Sequence, residues 1–364
     1  MSFASSNKKI PATVVTGFLG AGKTTLIRKL IEQAGDKKIA LIVNEFGDMG
    51  FDGELLSDCG NPNCTADDVV ELKNGCICCT VADDFLPTIE MLLKRDPKPD
   101  HIVIETSGLA LPQPLVKAFQ WPSVRASVTV DGVVTIADAS ALSDGHYSQN
   151  EDAIAKQRAQ DDSLDHESPI EELFADQLKC ADMIVISKAD LVDDEGMARV
   201  EAIIGEHARE GVKNIHSRNG DVSAAILLGL DSVAEDDLDS RKAAHDHHHD
   251  HDHDDDHDDH DDHDHDHDHH HDHHHDEFHS IVVPPRVFAS MEDVKVSVEK
   301  ALAQPGILRV KGYAALEGKK ARVVIQAVGR RVDSWFDTSG EAKTGLVVIG
   351  LKDFDQAAAE ATLS

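Results

Sequence analysis

The sequence predicts an α/β chain: a doubly wound, mainly parallel sheet in the larger N-terminal part, followed by a small C-terminal α+β domain. Three observations support this. Between Lys9 and about Gly229, short apolar runs alternate with stretches of helical spacing, the pattern of a parallel sheet with crossover helices. The octapeptide Gly17-Phe18-Leu19-Gly20-Ala21-Gly22-Lys23-Thr24 sits between one such run and one such helix. After Phe278 an alternating pattern returns, separated from the first part by a tract of histidine and aspartate.

The octapeptide matches G-x-x-x-x-G-K-[ST] without a mismatch, in the strand, loop and helix order that a phosphate-binding loop requires. Before it, Ala12 to Thr16 is short and β-branched, as a buried parallel strand should be; after it, Thr25 to Ile31 has apolar residues at helical spacing. Backbone amides around Gly17, Gly20, Ala21, Gly22 and Thr25 can close on the phosphates. Lys23 can reach the β- and γ-phosphates, and Thr24 offers a hydroxyl to Mg²⁺. The chain is therefore expected to bind a nucleoside triphosphate.

Further strands are expected at Ile39 to Val43, His101 to Ile104, Val133 to Ala137 and Met183 to Ile186. In such a sheet, ligand chemistry gathers at the carboxyl ends of the strands. The residues there are Asn44-Glu45, Glu105-Thr106-Ser107-Gly108, Asp138 and Ser187-Lys188-Ala189-Asp190. Glu105 follows its strand as a magnesium-site carboxylate would, and Gly108 allows the next loop to respond to a γ-phosphate. Ser187 to Asp190 is similar to the N/T-K-x-D guanine-recognition sequence, with Ser in first place. Asp190 would accept hydrogen bonds from the guanine edge and Lys188 would lay its stem over the base. Adenine would leave that carboxylate unpaired, so GTP is expected over ATP.

Two cysteine groups interrupt this pattern. Cys76, Cys78 and Cys79 fall within four residues, which points to a soft metal site or a redox centre rather than core packing. The adjacent Asp83 and Asp84 read as first-turn acids more than as ligands. Cys59 and Cys64 form a second pair, open between a structural and a functional role, since two thiols do not fill a tetrahedral site.

From His245 to His279 histidine and aspartate alternate almost without apolar residues, so the tract is expected to be a disordered linker able to bind Co²⁺, Ni²⁺ or Zn²⁺. The expected domains are then residues 1–229, a linker at 230–279, and 280–364. In the last, strands are expected at Ile281 to Val283, Gly306 to Tyr313, Ala321 to Val328 and Gly345 to Gly350. Helices are expected at Met291 to Ala303 and Phe354 to Leu363. His279 reads as a linker-end residue and Trp335 as a packing residue.

Composition narrows the class. At 364 residues with 41% hydrophobic content the chain can bury a core, and no run approaches the ~18 apolar residues of a membrane span. The stretch from Met1 to Pro11 lacks the apolar segment of a secretory leader, so a cytoplasmic location with no membrane partner is expected. A net charge of -33 argues against nucleic-acid binding.

Together these residues resemble the CobW family of P-loop GTPases. The resemblance rests on Gly17 to Thr24, Val43 to Gly47, Glu71 to Thr80, Glu105 to Gly108, and Asp176-Gln177-Leu178 leading to Ser187 to Asp190. Cys59/Cys64, Cys79 to Phe85 and Gly345 to Leu351 are most similar to the family's members of aerobic cobalamin synthesis. It implies a GTPase metallochaperone with Lys23, Thr24 and Glu105 at the reaction centre. It also implies a metal cargo held by Cys76, Cys78 and Cys79 while Mg²⁺ and GTP are bound, and released on hydrolysis. The leading expectation is Co²⁺ delivery to a cobaltochelatase. Zn²⁺ delivery to a client metalloprotein is the alternative, and a His-rich metal buffer a third reading.

Overall fold

The computed structural model describes residues 9–44, 69–72, 85–149, 154–155, 169–229, 278–284, 286–337 and 344–364. The first part is a parallel sheet of β1 (Ile10–Gly17), β2 (Ile39–Asn44), β3 (Val69–Leu72), β4 (His101–Glu105), β5 (Val128–Asp138), β6 (Met183–Ser187) and β7 (Lys213–His216). Its order is β3-β2-β4-β1-β5-β6-β7, and every pairing is parallel. The central strands are apolar almost throughout because both faces are covered; every residue of β4, β5 and β6 is buried.

The helices of this part are α1 (Lys23–Glu32), α2 (Leu86–Leu93), α3 (Gln113–Ala118), α4 (Pro122–Arg125), α5 (Ala139–Ser143), α6 (Ile170–Cys180), α7 (Asp194–His207) and α8 (Ala224–Leu227). α1 buries Leu26, Ile27, Leu30 and Ile31, a stripe at helical spacing. On the other face Phe85, Ile89 and Leu92 pack against Ala12, Val14, Ile42 and Ile104. The doubly wound sheet expected from the sequence is present.

The C-terminal part comprises β8 (Phe278–Val283), β9 (Val287–Phe288), α9 (Met291–Ala303), β10 (Ile307–Leu316), β11 (Arg322–Val328), β12 (Arg331–Asp337), β13 (Gly345–Leu351) and α10 (Gln356–Leu363). The main sheet is antiparallel in the order β12-β11-β10-β13-β8, with β9 added parallel to the end of β10. Its core gathers Val294, Val298, Leu302, Val310, Ile325 and Val348. Ser290 caps α9 by accepting from Asp293 N–H at 3.1 Å, and Asp355 caps α10 by accepting from Ala358 N–H at 2.9 Å. Strand β12 was not anticipated. His279, expected at a linker end, lies within β8 opposite Gly350, with its ring 6.3 Å from that of Phe354.

The two parts share a core. Leu308, Val328, Val347 and Ile349 pack into the same cluster as Leu26, Ile31, Met183, Ile215 and Leu227. Charged contacts add to it at the amino ends of the parallel strands. A bulge in β5 skips one residue between the partners of Ala12 and Thr13, and that residue is Asp131. Its carboxylate accepts from Arg309 Nη1 at 2.6 Å and pairs with Lys311 Nζ at 3.0 Å, all three side chains being buried. Arg309 Nη2 also donates to the Leu227 carbonyl at 3.1 Å. Just before β6, Asp182 accepts from Arg331 Nε at 2.7 Å, and Lys213 Nζ donates to the Gln304 carbonyl at 3.3 Å. The C-terminal domain thus covers the amino ends of the strands and leaves their carboxyl ends to the phosphate loop.

Candidate nucleotide and metal site

The loop between β1 and α1 has the form its sequence requires. Gly20 and Gly22 adopt φ of 77° and 97°, in the left-handed region that glycine tolerates. Gly22 stands at the N-cap of α1 and offers no side chain to its first amides, which stay available to an anion together with the positive end of the helix dipole. Lys23 is buried and arches over the loop, its Nζ donating to the Phe18 carbonyl at 3.0 Å.

Strand pairing places the next group. β4 lies beside β1 with Glu105 in register with Val15, so the strand's last side chain meets the start of α1. The Thr24 hydroxyl donates to Glu105 Oε1 at 3.0 Å, and Glu105 is buried. A hydroxyl and a carboxylate at the phosphate end of α1 are hard oxygen donors of the kind Mg²⁺ takes. The residues present therefore fit that ion.

Beyond Glu105 the chain is held from three sides. Thr106 N–H donates to the Val15 carbonyl at 3.0 Å and its hydroxyl to Thr16 Oγ1 at 2.9 Å. From α6 the buried Gln177 amide donates to the carbonyls of Gly108 and Ala110, at 3.1 and 3.0 Å. At Gly108 a Cβ would come within 2.8 Å of the Leu19 nitrogen, so only glycine permits this approach to the phosphate loop. The expected loop glycine is therefore in direct contact with the phosphate loop itself.

The expected base-recognition residues lie at the carboxyl end of β6. The Ser187 hydroxyl donates to the Ala21 carbonyl at 2.7 Å, with the Ala137 carbonyl 3.2 Å away as a second acceptor. Serine in place of the usual asparagine thus still ties this strand end to the phosphate loop. Lys188, at φ 55°, pairs with Asp138. The other Asp138 oxygen caps α5, accepting from Ser140 and Ala141 N–H at 3.0 and 3.3 Å. Asp190 lies in the short 3-10 turn Ala189–Leu191, exposed, and accepts from Asn219 N–H at 3.4 Å.

Sequence reasoning missed the loop that supplies Asn219. Residues 217–220 follow β7 and pack beside Asp190: Ser217 N–H donates to the Ile186 carbonyl at 2.8 Å, and Ala189 N–H to the Ser217 carbonyl at 3.1 Å. Asn219-Gly220, both with positive φ, was the available signal. Ser148 was missed as well; its hydroxyl donates to the Leu19 carbonyl at 2.9 Å from outside the loop.

Cys59, Cys64, Cys76, Cys78, Cys79, Asp83, Asp84, Glu45 to Gly47 and the tract from His245 to His275 lie outside the described residues. Among the described residues no three His, Cys, Asp or Glu side chains gather where a metal ion could be held, and no helix is long and apolar enough to cross a membrane. Cys180 is the free thiol among them; burial, then Asp182, pushes it up to about 11, which leaves it a poor metal ligand.

Comparison with known proteins adds two family matches. Residues 11–214 match the model described as CobW/HypB/UreG, nucleotide-binding domain, and residues 278–364 match the cobalamin synthesis protein cobW C-terminal domain. A Sinorhizobium protein named zinc chaperone CobW is 48% identical, over 100% of this chain and 99% of its own. One of the same name from Pseudomonas aeruginosa is 45% identical, over 96% and 89%. A zinc-regulated GTPase metalloprotein activator 1 from Schizosaccharomyces pombe is 34% identical, over 54% of this chain and 43% of its own.

Proposed function

Since the chain belongs to the CobW/HypB/UreG family, we propose that it is a GTP-hydrolysing metallochaperone whose cargo is zinc. The observation that carries this reading is the parallel order of the strands. Because β1, β2, β3 and β4 run in one direction, the phosphate loop and the strand-end residues Asn44, Leu72 and Glu105 all lie on one side of the sheet. Cys76 comes four residues after Leu72, the last residue of β3. In this reading the cargo ion is held by Cys76, Cys78 and Cys79, and a γ-phosphate on the loop influences it through the segments that leave the ends of β2 and β3.

The residues divide the work as follows. Lys23 offsets phosphate charge. Thr24 and Glu105 would hold Mg²⁺, which would supply positive charge to the β- and γ-phosphates. Asp190 accepts from guanine, while Lys188, tethered by Asp138, borders the base. Gln177 and Gly108 keep the segment after Glu105 against Leu19, where the presence of a γ-phosphate alters its packing. Thiolates converging with GTP bound and separating after hydrolysis would take up and release the cargo.

Zinc takes precedence over the cobalt expected from sequence for two reasons. The two relatives named above that span the chain carry zinc in their names, and thiolate sites hold Zn²⁺ more tightly than Co²⁺. The client is then a zinc metalloprotein rather than a cobaltochelatase. The test is single-turnover release: protein loaded with Zn²⁺ and GTP is mixed with a chromophoric chelator, and phosphate and zinc are followed together. Zinc leaving at the rate of phosphate release supports the proposal; zinc leaving equally fast with a nonhydrolysable analogue contradicts it.

A further inference from the structure

The seam between the two domains contains a cleft, on the side away from the phosphate loop, that the chaperone reading does not use. It is about 520 Å³ in volume, with Gln120, Pro122 and Arg125 on the nucleotide-domain wall, Trp335 and Phe336 on the β12 wall, and Lys9 between them. Inward it continues into a hollow of about 100 Å³ bordered by Arg331 and Asp333.

Four features of this cleft point to an occupant. Arg125 is exposed and its side chain has no hydrogen-bond or ion-pair partner among the described residues. Lys9 stacks over the Trp335 ring, Nζ 5.1 Å from its centroid, and burial together with the neighbouring Arg125 charge lowers its pKa. Two cations that disfavour one another in a chain of net charge -33 form a local field that an anion would relieve. Asp333, deeper in, offsets part of that field and is itself pushed up by burial.

The other two features are apolar and backbone in kind. Trp335 Nε1 is buried with no hydrogen-bond partner among the described residues, while Phe336 is 42% exposed. β12 is an edge strand, paired with β11 alone, so its outer backbone groups have no strand partner among the described residues. An exposed phenylalanine beside a half-buried tryptophan, an unpaired arginine and a free strand edge make the usual composition of a protein-docking surface, and an extended peptide can use all three.

We propose that this cleft docks an extended acidic segment of a protein partner, with its carboxylates on Lys9 and Arg125 and an apolar side chain against Trp335 and Phe336. A small anion would engage the cations alone and leave the aromatic wall and strand edge unused. The docking does not depend on the identity of the cargo or on GTP hydrolysis.

The test is fluorescence anisotropy of a labelled synthetic heptapeptide, Glu-Leu-Glu-Phe-Glu-Val-Glu, with the full-length protein, against the same peptide with Lys for Glu. Saturable binding of the acidic peptide alone is expected, weakened about tenfold by Arg125→Glu or Lys9→Glu and by raising salt to about 0.5 M. Trp335→Phe should weaken it about threefold. Arg125→Glu should keep wild-type GTP turnover, which establishes that it is folded. No saturable binding up to about 1 mM, or equal binding by wild type and Arg125→Glu, would overturn the proposal. Two further outcomes would also overturn it: full displacement by millimolar inorganic phosphate would make the cleft a small-anion site, and much tighter binding after deletion of residues 245–275 would make the chain's own tract its occupant.

Discussion

The Ser187 hydroxyl donates to the Ala21 carbonyl at 2.7 Å, joining the end of β6 to the phosphate loop across 166 residues of sequence. That bond makes the base side and the phosphate side one unit. Ser187→Ala leaves a buried carbonyl short of its donor, at a stability cost of about 1–2 kcal/mol, and should also lower GTP affinity about tenfold because the base side is no longer tied to the phosphate side. Ser187→Asn, whose amide can donate to the same carbonyl, should retain most of the affinity. Calorimetric GTP titration of the two variants checks this.

Asp190 is exposed beside the 217–220 loop and free to accept from a base. Asp190→Asn reverses part of its hydrogen-bonding pattern. It should weaken GTP and improve XTP, which presents the opposite pattern, while ATP stays weak. Competition binding among the three nucleotides decides it, and unchanged discrimination would remove Asp190 from the base site.

Thr24 and Glu105 meet at 3.0 Å. Glu105→Gln and Thr24→Ala should each lower GTP turnover by about 10²-fold or more, with a raised requirement for Mg²⁺, because the charge developing in the reaction loses its compensation. Turnover measured across a Mg²⁺ series would show it.

At the other end of β4, His101 is buried, bonded through Nε2 to the Thr13 hydroxyl at 2.9 Å, and near the Asp131, Arg309 and Lys311 cluster. Burial, with Lys311 and Arg309 adding to it and Asp131 opposing, brings it from 6.5 down to about 3. The folded protein therefore keeps it neutral where the unfolded chain takes up a proton. Stability is full above the unfolded value and falls as pH drops through the window from about 6.5 to 3, by about 1.4 kcal/mol per pH unit. His101→Gln should flatten that slope by about one proton in denaturant unfolding at pH 6, 5 and 4. Asp131 contributes only lower: burial alone would raise it, but Arg309 and Lys311 hold it below the ordinary carboxylate range, so its contribution is lost beneath about pH 4.

Much of this was legible because its signals are local. The octapeptide at Gly17, the apolar runs and the polar residues that end them carry strand, loop and site within a few positions of one another, and the structure keeps Lys23, Thr24, Glu105, Ser187, Lys188 and Asp190 at one end of one sheet. What was missed depends on distant partners. β12 has the sequence Arg-Val-Asp-Ser-Trp-Phe-Asp, too charged to read as a strand, because Arg331 reaches across to Asp182 and Asp337 pairs with Arg322 of β11. Arg309 and Lys311 look out of place in an apolar strand until Asp131 is found on a β5 bulge far upstream. Gln177 gave no sign that its amide would hold Gly108 and Ala110.

The central claim is that nucleotide state governs cargo affinity. Zn²⁺ should be titrated into the full-length protein against a competing chelator, once with Mg²⁺ and GDP and once with Mg²⁺ and a nonhydrolysable GTP analogue. Reciprocal coupling of ~1–3 kcal/mol predicts about 5–150-fold tighter binding in the analogue state, abolished in Cys76→Ser, Cys78→Ser or Cys79→Ser. Equal affinity in the two nucleotide states would contradict the account.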